Sequence, residues 1–463
     1  MNKSTKILAG VASALVVGGV GGTATYLGVQ NADLKKEHND YVQESTLRDE
    51  ESKQKINDLE EANNFLQEEN QSLKDDIKYF NDNLLVYTLT PGAFTASVSV
   101  KGGFGKIKSL KIPELINVNG QNYAVTSIAK NAFEYYTELE SVELPSTISS
   151  IGDYAFRGCS KLKTVNIPEI VKELGSYVFY DCQSLENITI PRFITSLGSS
   201  LFYNCYSLKS VAILGNVTAF SSSCFYGCSS LTDINFPETL VTIGQSCFFN
   251  AGLTSVKIPN SVTTIGQSAF YNCKKLVSAI LPENLNALEN SLFSGCQSLV
   301  HVELPKNLIS LGQCVFAYCS TLSSVVLPDN LTSIPYYTFR ECFLLKTINI
   351  PSGVTTIGSY AFYGTGLTSV KLPDNLLTID DHAFQNCYSL SEVTIPASVT
   401  ELSTGAFYLG SSVVSKLNFE NKVGWSVTLS GKTTALTEDD LSEDNIIKTL
   451  VACNDVSAIW KRT

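Results

Sequence analysis

The densest group of titratable side chains in the sequence is Asp380-Asp381-His382. A carboxylate next to an imidazole is a pair that general acid–base catalysis uses, so this triplet is the first candidate for chemistry. It lies just before Phe384, at a point where every copy of the repeat described below is expected to have polar turn residues. We therefore interpret the triplet as a solvated turn, and we predict no catalytic residues and no enzymatic activity.

Cysteine is the second residue type that could carry chemistry, and the chain has 13. Nine of them share one position of a repeat: Cys159, Cys182, Cys205, Cys228, Cys273, Cys296, Cys319, Cys342 and Cys387. A recurring position of this kind is typical of a core, where free cysteine packs as a small hydrophobe. The alternative is a ladder of disulfides, which the odd total disfavours. We predict that these thiols are reduced and buried.

Other chemical motifs are missing from the sequence. There is no Cys-x-x-Cys pair, and neither His301 nor His382 has a metal-liganding pattern around it. Gly102-Gly103-Phe104-Gly105 is rich in glycine, but no helix signal follows it as phosphate binding would require. The net charge of −11 argues against nucleic acid as a partner. We therefore predict neither a metal site nor a cofactor.

A phenylalanine that recurs at a nearly fixed interval organises the rest of the chain. Each step is 23 residues long except two of 22, which follow Phe248 and Phe362. In the short steps Asn250-Ala251-Gly252 and Gly364-Thr365-Gly366 replace the segment that contains cysteine. The series comprises Phe133, Phe156, Phe179, Phe202, Phe225, Phe248, Phe270, Phe293, Phe316, Phe339, Phe362, Phe384 and Phe407. Such a repeat predicts a solenoid, in which each copy buries its apolar residues against its neighbours.

One copy indicates how a repeat folds. Ala155, Phe156 and Cys159 have the spacing of one inward-facing helical turn. The following segment, residues 162–168, reads L-x-x-L-x-L and then Pro168, which predicts a strand that ends at the proline. The predicted fold class is therefore a β-rich α/β, right-handed solenoid of about 13 leucine-rich repeats with a cap at each end.

The consensus I-G-x-x-A-F-x-x-C-x-x-L-x-x-V-x-I-P resembles the BspA-like leucine-rich-repeat family of bacterial and protist surface proteins. The resemblance covers about residues 85–463. Ile116–Tyr123 looks like the hairpin that opens the first repeat in that family, and residues 417–463 look like its C-terminal capping tail, with a helix expected over 438–451. The resemblance implies cell-surface exposure and binding roles such as adhesion, and it implies no catalytic residues.

The N-terminal part predicts attachment to a membrane. Residues 7–28 form an uncharged run of 22 residues behind Lys3 and Lys6, long enough to cross a bilayer. We interpret residues 1–30 as a signal-anchor, with a signal peptide cut near Ala24 as the alternative. The chain is then placed on the cell surface if the anchor is retained, or secreted if it is cleaved.

A helical coiled-coil stalk is predicted over residues 31–84. Its a and d positions are Ile56, Leu59, Asn63, Leu66, Asn70, Leu73, Ile77, Phe80 and Leu84. Asparagine at two a positions favours a parallel homodimer. The alternative is a long surface helix packed on the next domain. The remaining domains are then an N-terminal cap with the first strands (85–132), the leucine-rich repeats (133–416) and the C-terminal cap (417–463).

Two rows of side chains are candidate binding surfaces. The first row consists of the outward strand positions, which are mixed and mostly uncharged and include Ile280 and Val326 as exposed apolar residues. The second row follows the repeated phenylalanine and is aromatic in five successive copies: Tyr180, Tyr203, Tyr226, Phe249 and Tyr271. Stacked one per repeat, these rings predict an aromatic ladder. Aromatic surface is favoured at interfaces, and the alternative is a half-buried ladder that stabilises neighbouring turns.

Two functions fit this organisation. The first is a surface binding protein whose ligand is a protein or glycan on another cell or in the matrix. The second is a structural spacer, or envelope-organising protein, whose solenoid makes only homotypic contacts. The chemistry of the outward side chains decides between them, because function lies on the variable surface and not in the fold.

Overall fold

The structure is a computed structural model that describes residues 57–68, 85–100, 107–408, 414–429, 432–442, 445–446 and 458–463. The chain divides into two compact units, Met1–Glu173 and Leu174–Thr463. The signal-anchor predicted over residues 1–30 lies outside the described residues, as does most of the stalk predicted over 31–84. Among the residues that are described, no helix is long and apolar enough to cross a membrane.

The first unit contains the N-terminal cap and the first repeats. Its strands are β1 (Leu85–Thr90), β2 (Thr95–Val100), β3 (Ser109–Lys111), β4 (Leu115–Val118), β5 (Gln121–Ile128), β6 (Ser141–Glu143), β7 (Ser150–Ile151) and β8 (Thr164–Val165). A short 3-10 helix, Pro91–Ala93, links β1 to its antiparallel partner β2. β4 pairs antiparallel with β5 through a turn at Asn119 and Gly120, both with positive φ (53° and 82°). Positive φ at both residues is what a tight two-residue hairpin turn requires. The antiparallel pairing confirms the predicted hairpin.

The helix over residues 57–68 belongs to the first unit as well. Leu59, Ala62 and Leu66 are 7%, 8% and 1% exposed within a single chain. They lie three, four and seven residues apart, so they form one face of the helix. Two of them are d positions of the predicted coiled coil. The structure therefore gives no support to a coiled-coil stalk, and it favours the alternative in which the helix packs on its own chain. The predicted homodimer stays a prediction.

The second unit contains most of the repeats and the C-terminal cap; β9 (Glu173–Leu174) lies at the boundary between the units. Its other strands are β10 (Asn187–Ile190), β11 (Ser196–Leu197), β12 (Ser210–Ile213), β13 (Ala219–Phe220), β14 (Thr242–Ile243), β15 (Ser255–Lys257), β16 (Thr264–Ile265), β17 (Ser278–Ile280), β18 (Ala287–Leu288), β19 (His301–Glu303), β20 (Ser310–Leu311), β21 (Ser333–Ile334), β22 (Thr356–Ile357), β23 (Thr378–Ile379), β24 (Glu392–Ile395), β25 (Glu401–Ser403), β26 (Lys416–Phe419), β27 (Trp425–Leu429), β28 (Lys432–Ala435) and β29 (Ile459–Arg462). A 3-10 helix spans Thr404–Phe407.

The repeats build two kinds of parallel ladder, as expected when the same segments recur in every copy. The ladder of the L-x-x-L-x-L segments is interrupted where a copy forms no strand, as at residues 231–236. The strands of the L-x-x-L-x-L segment pair with the strand one repeat later, as in β15-β17-β19. The shorter strands pair in the same way in β11-β13-β14-β16. Along β10 the side chains alternate between exposed and buried, so Ile188 and Ile190 point into the core. The prediction of a β-rich solenoid is confirmed within each unit.

A third ladder replaces the helical turn that the sequence predicted around the repeated phenylalanine. In residues 133–408 there is no α-helix. The segments around the repeated phenylalanines are turns, in which the residues two before and two after the phenylalanine have positive φ. Around Phe202 these residues are Ser200 (50°) and Asn204 (56°). Left-handed residues interrupt a right-handed helix, so the amides point to the neighbouring copy. Phe202 N–H donates to the carbonyl of Cys224 at 2.8 Å. The helical part of the predicted fold class is therefore wrong for the repeats.

The core is a column of rings and thiols. In the second unit the repeated phenylalanines stack with centroid separations between 5.0 and 5.9 Å, and the rings that make the column are fully buried. All nine repeated cysteines are free and buried. The predicted burial of these thiols is thus confirmed, and their reduced state stays a prediction.

The C-terminal cap closes the last repeat of the second unit with antiparallel strands. β29 pairs with β25 on one side and with β27 on the other. Trp425 and Trp460 are 2% and 0% exposed beneath these strands, so they cover the apolar end of the repeats. Of the predicted helix over 438–451, residues 438–442 form turns and a bend. Ile446 is helical, and its N–H donates to the carbonyl of Ser442 at 2.9 Å; most of the remainder lies outside the described residues.

Candidate binding surfaces

The five aromatic residues that follow the core phenylalanine form a continuous stack, which we call the aromatic ladder (Tyr180, Tyr203, Tyr226, Phe249 and Tyr271). Successive ring centroids are 4.5, 4.4, 4.5 and 4.6 Å apart, and the ring planes are within 11° of parallel. The spacing is that of the parallel backbone ladder beneath them, because each repeat places one ring at the same point. The sequence prediction of stacked rings is therefore correct in its geometry.

All five side chains of the aromatic ladder are half-buried. Their faces are covered by one another, so ring edges and the hydroxyl groups of the four tyrosines are what the ladder offers to a partner. Burial, together with the neighbouring Tyr226 and Tyr180, raises the pKa of Tyr203 to about 12. The hydroxyl group of Tyr203 is therefore a neutral donor and acceptor at physiological pH. Half-burial also agrees with the alternative interpretation, in which the stack stabilises the turns.

The aromatic ladder ends at Tyr271 because the next two repeats have small residues at the same position. Ser294 and Ala317 are 3% and 1% exposed. In the following repeat the ladder position holds Arg340. Its guanidinium carbon lies over four rings: Tyr337 at 4.5 Å, Tyr363 at 5.0 Å, Tyr318 at 5.3 Å and Tyr360 at 5.9 Å. A guanidinium over aromatic faces is held by their quadrupoles. This cluster is not predicted from the sequence, where its only signal is an arginine at the ladder position with tyrosines nearby.

The two apolar residues of the outward strand row differ in exposure. Val326 is 82% exposed, as predicted. Ile280 is half-buried between its register partners Lys257 and Glu303, so the expectation that it is exposed is wrong. Neighbouring strands in a parallel ladder are close enough for long side chains to cover a shorter one. Ile280 lies on β17, whereas Val326 lies in the corresponding segment two repeats later, which forms no strand. The aromatic ladder lies on turns, so the structure does not unite these residues in one site.

The Asp381-His382 pair is a packed structural unit and not the solvated turn that the sequence predicted. His382 is 9% exposed, and its ring stacks on Tyr360 with centroids 4.6 Å apart. Asp381 contacts Nδ1 of His382, and its other oxygen accepts a hydrogen bond from Ser403. The carboxylate thus lies between the hydroxyl and the imidazole. Activation of a serine needs the imidazole in that middle place, so this arrangement does not build a nucleophile.

In the part of the chain that the structure describes, no group of three or more His, Cys, Asp or Glu residues is arranged to hold a metal ion. Two of the repeated thiols are also poor metal ligands, because burial raises the pKa of Cys159 to about 12 and that of Cys387 to about 11. A metal ligand must be the thiolate.

Comparison with known proteins identifies the family. Residues 126–251, 241–365 and 310–425 match the BspA type leucine rich repeat region, which is found in six copies. These spans cover well over half of the chain, so the chain belongs to the BspA-type leucine-rich-repeat family. No curated protein matches it.

Solved structures of leucine-rich-repeat proteins are also similar to the chain. A leucine-rich repeat protein from Bacteroides ovatus is 26% identical, with 64% of this chain and 92% of that chain covered and a TM-score of 0.38. A leucine rich cell surface protein from Faecalibacterium prausnitzii is 23% identical over 73% of this chain and 94% of its own, with a TM-score of 0.45. The pneumococcal vaccine antigen PcpA is 19% identical over 65% and 93%, with a TM-score of 0.42.

Proposed function

We propose that the protein is a non-catalytic cell-surface binding protein that uses its repeats for adhesion to a protein or glycan on another cell or in the matrix. The observation that carries the proposal is the aromatic ladder, in which five stacked rings present edges and hydroxyl groups at a spacing of 4.4 to 4.6 Å. Tyrosine is enriched at the centre of protein interfaces, because one side chain offers both apolar area and a polar tip.

Membership of the BspA-type family supports location at the cell surface. We further propose that residues 7–28, an uncharged run of 22 residues, hold the chain in the membrane. Fractionation of cells that express the full chain tests this point. Recovery with the membrane supports the anchor, whereas a processed chain in the medium supports the cleaved signal peptide.

A structural spacer is the second candidate, and the half-burial of the aromatic ladder favours it. A ladder that serves only the fold needs the ring stack and not the hydroxyl groups. Adhesion through the aromatic ladder therefore depends on the tyrosine hydroxyl groups, whereas a structural spacer does not. Substitution of tyrosine by phenylalanine removes the hydroxyl oxygen without disturbing the stack. Phe249 already occupies one rung of the stack without a hydroxyl group.

The experiment that tests the proposed function is a binding screen of the purified full chain against extracellular-matrix proteins, immobilised glycans and intact cells. Saturable binding to one of these supports adhesion. Binding that is restricted to other copies of the same chain contradicts adhesion and supports the spacer.

A further inference from the structure

Each of the two short repeats has a corner in the solenoid that carries no side chain. Each of them has a glycine four residues after the core phenylalanine, Gly252 and Gly366. A Cβ atom on Gly366 would lie 2.1 Å from the carbonyl oxygen of Phe343, and one on Gly252 would lie 2.2 Å from that of Ser229. No side chain fits at either corner, because a contact with backbone at such a distance cannot relax.

The residues on either side of the two corners differ in chemistry. Phe343 and Tyr388 hold the same repeat position one copy before and one copy after Gly366, and they are 54% and 71% exposed. The matching neighbours of Gly252 are Ser229 and Lys274. Two repeats in a parallel ladder are about 9.5 Å apart. Gly366 is therefore the floor of an opening with an aromatic residue on each side, and Gly252 provides a natural comparison without aromatic residues.

This opening is a cavity of about 390 Å³, which we call the Gly366 slot, and its lining includes Glu341, Phe343, Tyr363, Gly366, Tyr388 and Ser389. The hydroxyl oxygen of Tyr363 accepts a hydrogen bond from Asn386 Nδ2 at 2.9 Å, which leaves the hydroxyl proton to donate to another group. Ser389 is exposed and adds a second hydroxyl group. The slot thus combines two apolar sides with a few polar groups, as small-ligand sites do.

The charge within the Gly366 slot is already compensated by the chain itself. Arg340 Nε donates to Glu341 Oε1 at 3.4 Å. The same guanidinium lies 5.0 Å from the centre of the Tyr363 ring, so it occupies one face of that ring. A cationic ligand would therefore compete with Arg340 for both the carboxylate and the aromatic face, which favours a neutral ligand.

We propose that the Gly366 slot binds one neutral pyranose ring of a glycan, with the C–H faces of the sugar against Phe343 and Tyr388. Contact distances of about 4 Å on each side of the ring fit between side chains that lie about 9.5 Å apart. The sugar hydroxyl groups bond to Tyr363, Ser389 and the free oxygen of Glu341. The proposal rests on the proposed binding function and specifies a glycan as one of its ligands.

Saturation-transfer difference NMR on the full chain tests the proposal, with methyl β-D-galactopyranoside and methyl β-D-glucopyranoside as probes and arginine methyl ester as a cationic competitor. We expect transfer to the ring C–H protons with a dissociation constant on the order of 1 mM, which corresponds to a binding free energy of about −4 kcal/mol. The double variant Phe343→Ala/Tyr388→Ala should weaken binding by at least ~10-fold, because it removes both aromatic contacts. The matched control Ser229→Ala/Lys274→Ala, at the Gly252 corner, should bind like the unchanged protein.

The proposal is overturned if neither glycoside shows transfer, or if the double variant and the unchanged protein show equal transfer. Preference of the protein for arginine methyl ester over the glycosides also overturns it. Circular dichroism and the melting temperature establish that the double variant is folded, which we expect because both side chains are more than half exposed. Adhesion of the same variant to the matrix and cell panel is measured in parallel. Adhesion that persists while glycosides fail to bind separates failure of the slot from failure of the proposed function.

Discussion

The thiol of Cys228 donates a hydrogen bond to the main-chain carbonyl of Phe202, at a distance of 3.1 Å. The same bond, at 3.0 to 3.2 Å, connects further repeated cysteines of both units with a phenylalanine of the preceding copy. The carbonyl of Phe202 also accepts the N–H of Cys205 at 3.2 Å, so the thiol fills its second acceptor position, which a small apolar residue would leave empty. The recurring cysteine is therefore a hydrogen-bond donor as well as a core hydrophobe.

Removal of one of these thiols should destabilise the solenoid. We expect Cys319→Ala to lower the free energy of unfolding by about 1–2 kcal/mol, because it leaves a small cavity and removes the second hydrogen bond to the carbonyl of Phe293, which keeps only the N–H of Cys296 as a donor. Cys314→Ala is the control, since Cys314 is only half-buried. Urea denaturation followed by circular dichroism measures both variants. Equal stability of Cys319→Ala and the unchanged protein would show that the thiol adds nothing to the fold.

The native protein should resist alkylation at the repeated cysteines. Their side chains are buried, and burial raises the pKa of Cys387 to about 11, so the reactive thiolate is scarce at neutral pH. Among the cysteines that the structure describes, we expect iodoacetamide to label Cys314 first, and to label the nine repeated thiols only after denaturant is added. Mass spectrometry of the labelled peptides provides the readout. Rapid labelling of most of the nine thiols without denaturant contradicts the buried column.

Alkaline pH should destabilise the fold. Burial raises the pKa of Cys159 to about 12, above the usual thiol value of about 8.5. A group whose pKa is raised in the folded state contributes stability that is complete below the unfolded pKa and is lost as pH rises toward the folded pKa. We therefore expect the melting temperature to fall progressively between about pH 8.5 and pH 12. A melting temperature that stays constant over this range would contradict the prediction.

Substitutions in the helix over residues 57–68 should distinguish packing of the helix on its own chain from the coiled coil that the sequence predicted. Leu66 is 1% exposed within one chain, so we expect Leu59→Asp/Leu66→Asp to release the helix and make it sensitive to protease. The oligomeric state of residues 31–463 in analytical ultracentrifugation should not change. A dimer that this double variant converts to monomer would instead support the coiled coil.

The sequence predicted those features that depend on one repeat position at a time. The phenylalanine column, the buried thiols and the stacking from Tyr180 to Tyr271 all follow from identical residues placed at a fixed period. The predicted helical turn around Phe156 is wrong, because residue spacing does not distinguish a helical turn from turns with left-handed residues. The cluster around Arg340 and the Gly366 slot depend on how side chains from several copies meet, and the repeat pattern does not contain this information.

The most direct test of the adhesion account compares ladder variants on the ligand that the screen identifies. Tyr203→Phe/Tyr226→Phe keeps the stacked rings and removes two hydroxyl groups, so we expect stability to change by less than about 0.5 kcal/mol and affinity to fall ~10-fold, as for the loss of interface hydrogen bonds. Tyr206→Phe, an exposed tyrosine outside the ladder, is the matched control and should bind normally. Dissociation constants from surface plasmon resonance decide the question. Equal affinity of the ladder variant and the unchanged protein would contradict binding through the aromatic ladder and leave it a structural element.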